Sequence, residues 1–281
     1  MKIVFIILHY KSLNVTKKSV EAILKNVNYQ NYYILIVDNG SLDGSGRELH
    51  KIFKMYSAVK VLVSKKNLGF ARGNNIGFRY AKTILKADFI VLMNNDVFIK
   101  QKNFCQVIMK MYAQKKFAVA GPDIISLKNG QHQNPVKREY YSKGDILFRI
   151  IRFGLLWLLS FFHTDQIMQK IYVKIKKNRI KKTKEPMRDY QLHGSCMIFS
   201  SQFIENYHGL CSRTFMYGEE NILRFMADRD SFTMKYLPQV KVYHIEEGTT
   251  TEIFKKRVQK RRFYYRNNLK SCIVLLRLMR E

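Results

Sequence analysis

From the amino terminus to about residue 122, short apolar runs alternate with longer stretches in which apolar side chains recur every three to four positions. Short apolar runs bounded by turn residues predict strands, and the 3.6-residue recurrence predicts amphipathic helices between them. The pattern places strands at Ile3–Leu8, Tyr33–Asp38, Val59–Val63, Phe89–Met93 and Phe117–Ala120. Helices are predicted at Val15–Lys25, Gly44–Tyr56, Ala71–Lys86 and Asn103–Gln114. Repeated strand–helix units of this kind build an α/β fold, a mostly parallel central sheet flanked by helices. Ligands of such sheets lie outside the carboxyl ends of the strands, so the loops after residues 8, 38, 63 and 93 are where chemistry is expected. MKIVFIILHY reads as the first strand and not as a signal peptide, because charged helix-like sequence follows it where a small-residue cleavage site would stand.

The rhythm is lost between Pro122 and Arg188. There Ile146–Phe162 reads ILFRIIRFGLLWLLSFF. A membrane span needs about 20 apolar residues. A shorter run carrying Arg149 and Arg152 predicts an interfacial or re-entrant helix, the alternative being a buried core helix followed by a solvated basic helix. Lys170, Lys174, Lys176, Lys177, Arg179, Lys181, Lys182 and Lys184 follow, the polybasic arrangement expected beside an apolar anchor on an anionic leaflet. Lys255 to Arg266 repeats the basic, aromatic-interleaved theme. The organisation expected is one main domain over about 1–250, with a membrane-associating insertion at about 140–188, and a basic helical extension over 251–281.

Composition narrows the field. A chain of 281 residues with 47% hydrophobic and 13% aromatic content can bury a core, which excludes wholesale disorder. Its 50 Lys and Arg against 21 Asp and Glu, a net charge of +29, exceed what solubility requires and call for an anionic partner, nucleic acid or anionic lipid. Cys105, Cys196, Cys211 and Cys272 have neither Cys-x-x-Cys nor zinc-ligand spacing, so reduced thiols in a reducing, cytoplasmic compartment are expected.

Candidate chemistry sits where the strand pattern puts it. VDNGSLDGS ends the second predicted strand: Asp38 can accept hydrogen bonds from a base or ribose, or can simply hold a turn. NLGFARGNNIG, with Gly69, Gly73 and Gly77 four apart, has neither the dinucleotide fingerprint nor the Walker spacing; its glycines line one helical face and suit close packing on the sheet. LMNNDV offers Asn94 and Asp96, hard oxygen ligands of the kind Mg²⁺ or Mn²⁺ takes when it also holds a diphosphate. In FMYGEENIL, Glu219 and Glu220 stand about 100° apart on a helix, so one is expected to enter the crevice as a general base for a hydroxyl; acids at a helix start also complement its dipole. His244, in VYHIEEGTT, follows a short alternating strand and is either a structural histidine or a metal ligand.

Taken in order, the first strand with Tyr10, then VDNGSLDGS, NLGFARGNNIG, LMNNDV, HGSCMIF, FMYGEEN and the late His with Gly and Thr closely resemble glycosyltransferase family 2 over residues 2–250. Within it they resemble the branch of bacterial rhamnosyltransferase-like enzymes of surface polysaccharide synthesis. The resemblance implies a GT-A fold, a nucleotide-diphosphate-sugar donor, Mg²⁺ or Mn²⁺, and inversion at the anomeric carbon in one displacement. It implies nucleotide-sugar contacts at Tyr10, Asp38, Asn67, Gly69, Asn74, Asn95 and Asp96, metal contacts at Asp96, Asn94 and His244, and an acceptor wall at His193, Gly194 and Ser195. Glu220 occupies the position of the family's Asp base, with Glu219 as its acidic neighbour. The pattern usually reads Glu-Asp-x-Asp, whereas this chain has Glu219, Glu220, Asn221 and Ile222: the base is a methylene longer and the second Asp is lost. The partners implied are the donor, a lipid-linked saccharide acceptor and an anionic membrane surface at the inner face of the plasma membrane, with no specific nucleic acid. Two rivals make different predictions. A sugar nucleotidyltransferase would carry a Gly-rich basic loop after the first strand, where this chain has His9, Tyr10, Lys11 and Ser12. A non-catalytic nucleic-acid- or membrane-binding protein would use the basic tracts alone, with Tyr264 and Tyr265 stacking on bases.

Overall fold

The structure is a computed structural model that describes residues 1–140, 142–170, 172, 190–246 and 256–281. Lys174 to Lys184 of the basic tract, Lys255, and the Gly and Thr residues after Glu247 lie outside the described residues. Eight strands form one sheet: β1 (Ile3–His9), β2 (Tyr32–Asp38), β3 (Val59–Val63), β4 (Phe89–Asn94), β5 (Val97–Phe98), β6 (Val119–Ser126), β9 (Cys196–Ser200) and β10 (Met234–His244). A separate antiparallel pair joins β7 (Val136–Lys137) to β8 (Tyr190–Gln191). The helices are α1 (Leu13–Asn26), α2 (Ser45–Phe53), α3 (Phe70–Thr83), α4 (Phe104–Gln114), α5 (Lys143–Leu159), α6 (Ser201–Asn206), α7 (Glu219–Arg229) and α8 (Arg257–Leu278).

The sheet order is β3-β2-β1-β4-β9-β6-β10-β5, parallel from β3 to β4 and between β6 and β10, with β9 running antiparallel between β4 and β6. The predicted α/β layout is therefore present, and each predicted element appears within a few residues of its expected bounds. The fifth strand departs most: it starts at Val119 and continues through Pro122 to Ser126. Proline lacks the N–H that a ladder needs. Here the partner β10 shifts register between Leu237 and Lys241, opposite Pro122 and Asp123, so the ladder is already interrupted at that point.

Because β1 is central, both of its faces are buried and successive side chains enter different cores. Ile3, Phe5 and Ile7 join the cluster beneath α1, α2 and α4, whereas Val4 and Ile6 join Phe78, Phe199 and Phe203 beneath α3 and α6. Each such side chain contributes roughly 1.5–3 kcal/mol on full burial. The glycine row of α3 is a packing device, as its spacing suggested: a Cβ at Gly77 would stand 2.7 Å from Ile6 Cγ2, and one at Gly73 would stand 2.8 Å from Leu8 Cδ1.

A third core holds α5, α7 and α8 together through Tyr140, Ile146, Phe153, Leu156, Ile222 and Leu275. The apolar run of residues 146–162 thus buries one side of α5 against α8, and leaves Leu147, Ile151, Leu158 and Phe162 exposed on the other. Among the described residues, no helix is long and apolar enough to cross a membrane. All four cysteines are free thiols.

Candidate active site

The carboxyl ends of β1, β2 and β4 are level: His9 pairs with Asp38 across β1 and β2, and Leu8 pairs with Asn94 across β1 and β4. Above them opens a cavity of about 430 Å³. One wall is built on Asn39. Its Nδ2 donates to Asn67 Oδ1 and to Gly69 O, both at 3.1 Å, and its Oδ1 accepts from Leu68 N at 3.0 Å. The β2 loop and the entry to α3 are thereby clamped into one surface. Gly69 stands at φ 81, and a Cβ there would lie 2.1 Å from Phe215 O, so the left-handed turn and the close approach of the Phe215 loop both require glycine.

Beneath the cavity, a buried polar chain ties the first and fourth strand ends together. His9 Nδ1 meets Thr16 Oγ1 at 2.8 Å, Asn95 Nδ2 donates to the same Thr16 oxygen at 3.0 Å, and His9 Nε2 meets Ser45 Oγ at 2.8 Å. Ser19 of α1 donates to Val97 O at 2.7 Å. The loop carrying Asn95 and Asp96 is thus held from below by α1.

Asp96 and His244 are 148 positions apart in sequence and meet because β5, directly after Asp96, pairs with the end of β10. Ile245 N donates to Asp96 O at 3.1 Å, and His244 Nε2 lies 3.2 Å from Asp96 Oδ1. Both side chains are nearly inaccessible. His244 Nδ1 faces Gln133 Oε1 at 2.8 Å; a glutamine oxygen only accepts, so Nδ1 carries the proton. In neutral His244 the Nε2 lone pair then points at a carboxylate oxygen, and Asp96 Oδ1 is a buried acceptor with no hydrogen bond. Two lone pairs held face to face, with the imidazole oriented from behind by Gln133, fit a divalent cation, and leave positions for oxygens of a diphosphate. Asn94 lines the cavity beside them. Among the described residues no three His, Cys, Asp or Glu side chains come together as a ligand set.

The facing wall starts at β9. Ser195 O accepts from Asn94 N at 2.8 Å, which sets the His193–Ser195 loop against the β4 exit. Burial, then the neighbouring His244, lowers the His193 pKa to about 4, so its ring is neutral at pH 7. Its Nδ1 accepts from Ser195 N at 3.2 Å, which leaves the proton on Nε2. Behind this loop, α7 begins after Tyr217 and Gly218, both in the left-handed region at φ 70 and 84. Tyr217 is a non-glycine residue in that region, the kind of local strain that collects at functional sites.

Glu219 and Glu220 both line the cavity, where helix geometry alone had suggested one. Glu219 accepts from Thr214 Oγ1 at 2.9 Å and is buried. Glu220 lies against Gly194: a Cβ at that position would stand 2.0 Å from Glu220 Oε1, so the glycine in HGSCMIF makes room for the carboxylate. Burial raises the pKa of both; Glu220 adds to the rise at Glu219, and backbone N–H groups, Gly194 among them, temper the rise at Glu220. Beyond them Glu139 Oε2 accepts from Arg149 Nη2 at 2.7 Å and from Asn221 Nδ2 at 2.9 Å, and Tyr264 of α8 closes the far side.

A sequence model of glycosyl transferase family 2 matches residues 4–207. The chain belongs to glycosyl transferase family 2. Over 96 residues it is 30% identical to the glycosyltransferase GlyG of Streptococcus pneumoniae, a match covering 34% of this chain and 30% of that protein's length. Its fold is similar to TarS residues 1–349 of S. aureus in complex with UDP, with a TM-score of 0.57 at 12% identity over 87% of this chain and 60% of that one. It is also similar to GalNAc-T7 with UDP, GalNAc and Mn²⁺, with a TM-score of 0.59 at 13% identity over 94% of this chain and 48% of that one. The mannosyltransferase PcManGT of Pyrobaculum calidifontis, in complex with GDP-Man and Mn²⁺, aligns with a TM-score of 0.56 at 11% identity over 98% of this chain and 73% of that one. At these identities the structural likeness establishes the GT-A fold alone. The chain spans less than two thirds of the length of GlyG and TarS.

Within this family 2 chain, the structure gathers Tyr10, Asn67, Gly69, Asn94, Asn95, Asp96, His193, Gly194, Ser195, Glu219 and Glu220 around one cavity. Three residues named from sequence stand outside that lining. His244 touches it through Asp96. Asp38 is buried and turned to its own loop, accepting from Ser41 N at 2.9 Å with Oδ2 packed on Gly46. Asn74 is buried in α3 and donates to Phe70 O at 3.0 Å. Glu139, Arg149, Tyr217, Tyr264 and Gln133 were not anticipated. From sequence, Arg149 reads only as a charge within the apolar run, and Tyr264 only as an aromatic of the basic tail.

The family 2 carboxyl pair has a measurable consequence for stability. The Glu219 pKa stands at about 7, against an ordinary value of 4.5. A carboxyl raised in the folded state adds stability below its unfolded pKa and loses that contribution as pH rises through the folded pKa. As pH rises from 4.5 toward 7 the wild type therefore sheds the stability this buried carboxyl contributes when protonated. Glu219→Gln keeps the acceptor for Thr214 and removes the titration. Denaturant melts at pH 5 and pH 8 should show the variant gaining on the wild type at the higher pH; equal differences at both would mean that Glu219 ionises as freely as in water.

Proposed function

We propose that the chain is an inverting transferase that moves a sugar from a nucleotide-diphosphate-sugar to a hydroxyl of a lipid-linked or oligosaccharide acceptor in cell-surface polysaccharide synthesis, at the inner face of the plasma membrane. The observation that carries this reading is the convergence of two unlike groups on one cavity: the Asp96–His244 pair on the sheet side and the Glu219–Glu220 pair on the α7 side. The nucleotide-bearing complexes of TarS, GalNAc-T7 and PcManGT support a donor of this class.

Tyr10 and the Asn39–Asn67 clamp shape the nucleotide pocket, with Asp38 acting behind it by holding the turn that presents Asn39, and Asn74 by fixing the start of α3. Asp96 and His244, with Asn94 nearby, would hold Mg²⁺ or Mn²⁺. Such an ion supplies Lewis-acid neutralisation of charge on a departing diphosphate. Neutral His193 offers an N–H from Nε2 toward the same region. Glu220, set against Gly194 at the acceptor wall, takes the proton from the attacking hydroxyl, and its raised pKa makes it a stronger base than an exposed carboxylate. Attack from the wall opposite the diphosphate site inverts the anomeric carbon with no covalent intermediate on the enzyme.

The test is a thermal-shift panel of nucleoside diphosphates with and without Mn²⁺, followed by determination of the product's anomeric configuration. One nucleotide should raise the midpoint only with metal, and the product should carry the configuration opposite to the donor's. No shift with any nucleotide would remove the transferase reading, and a retained configuration would remove the single displacement.

A further inference from the structure

A groove of about 530 Å³, separate from the active cavity, lies between the carboxyl end of α5 and the outer side of α8. Arg262, Arg266 and Lys270 line it from α8 at i, i+4 and i+8, which sets three cations in one row. Trp157 of α5 and Phe161 of the short turn after α5 line it with ring centroids 5.7 Å apart, and the Arg262 guanidinium lies 4.3 Å from the Phe161 ring centroid. Arg262 Nε is buried without a hydrogen-bond partner, and no carboxylate is among the groove's described lining residues. Alongside runs an exposed apolar row on α5 and the turn after it, in which Ile151 is 68% and Phe162 is 76% exposed. On α5, Leu147, Ile151 and Leu158 of this row are opposite the buried Ile146, Phe153 and Leu156, and Trp157 stands on the flank between the two.

We propose that the α5–α8 face docks on an anionic phospholipid leaflet, with the apolar row of α5 in the acyl boundary and the Arg262–Arg266–Lys270 row on lipid phosphates. A helix apolar on its outer side, too short to span, with an aromatic flank and an adjacent cation row, has the chemistry of an interfacial helix. The chain's +29 charge complements such a surface, whereas a second copy of this chain would bring like charge. The groove and the active cavity share a wall: Phe215 and Phe263 face the groove, while Tyr217 and Tyr264 face the cavity. Docking in this pose brings the acceptor side of the cavity to the headgroup layer. The biological use of the surface rests on the membrane-linked acceptor of the proposed function; the binding itself does not.

The full chain is tested by co-sedimentation with phosphatidylcholine vesicles with and without phosphatidylglycerol, using Arg266→Ala/Lys270→Ala and Ile151→Ser/Phe162→Ser. Vesicles containing phosphatidylglycerol should capture the wild type, and the basic pair should weaken capture roughly tenfold or more. The apolar pair should weaken it comparably, with the nucleoside diphosphate thermal shift unchanged in both. Equal capture by both vesicle types, no capture, or wild-type capture of either double variant overturns the proposal. So does capture abolished by inorganic phosphate at matched ionic strength, which makes the groove a free-phosphate site. A dimer dissolved by the apolar pair, with no vesicle binding, assigns the row to a second copy. Vesicle capture without any nucleotide shift leaves docking standing and removes the transferase reading alone.

Discussion

Glu220→Gln is expected to lower kcat by roughly two to four orders of magnitude with little change in donor binding, the range for loss of a positioned general base. The substitution preserves size and can still accept from the backbone at Gly194, so the α7 entry and the acceptor wall keep their shape. What is lost is the basic lone pair. Glu219→Gln serves as the comparison, because Glu219 is engaged by Thr214 and deeper in the wall. It should cost far less activity while shifting the acid limb of the rate profile, since removing one charge lets its neighbour ionise at lower pH. If Glu220→Gln keeps activity within a few-fold and Glu219→Gln does not, the roles are exchanged. If neither loses activity, proton removal takes place elsewhere.

Asp96→Ala should separate stability from function. Asp96 Oδ1 is a buried acceptor with no hydrogen bond, facing His244 Nε2 at 3.2 Å, and if no partner satisfies it the apo variant should melt no lower than the wild type. Ligand linkage behaves in the opposite way. A nucleotide present at a hundred times its dissociation constant stabilises by about 2.7 kcal/mol, some 5–10 °C for a domain of this size. That metal-dependent increment should vanish in the variant, and turnover should fall about a thousandfold, the scale of several kcal/mol of lost charge stabilisation. A variant that melts lower yet keeps the metal-dependent increment would make Asp96 a structural residue.

The sheet was legible because its rules are local. Short apolar runs and the 3.6-residue recurrence placed β1 to β4 and α1 to α4 within about three residues of their bounds, and the glycine row of α3 announced close packing. The site was legible as a set of loops, since Tyr10, Asn67 and Asp96 fall at strand exits. Long-range pairing was not: nothing near His244 specifies that a two-residue strand after Asp96 will bind the end of β10 and bring the two side chains together. Nor does any local signal show that Glu139 folds back to Asn221 and Arg149, or that Asp38 turns to its own loop. Side-chain direction at a strand exit is decided by what packs there. Gly46 leaves room on one side of Asp38, and the carboxylate fills it.

The division into separate cores has a consequence for how such a chain can change over time. The groups proposed for the donor stand on the two cores that sandwich the sheet, whereas Glu139, Arg149, Tyr264 and the α7 carboxyls stand on the α5–α7–α8 core. Substitutions that repack the helical core can redraw the side of the cavity formed by α7 and α8, proposed for the acceptor, while the proposed nucleotide pocket keeps its supports. One half of the enzyme is thereby free to diversify its recognition while the other conserves its currency.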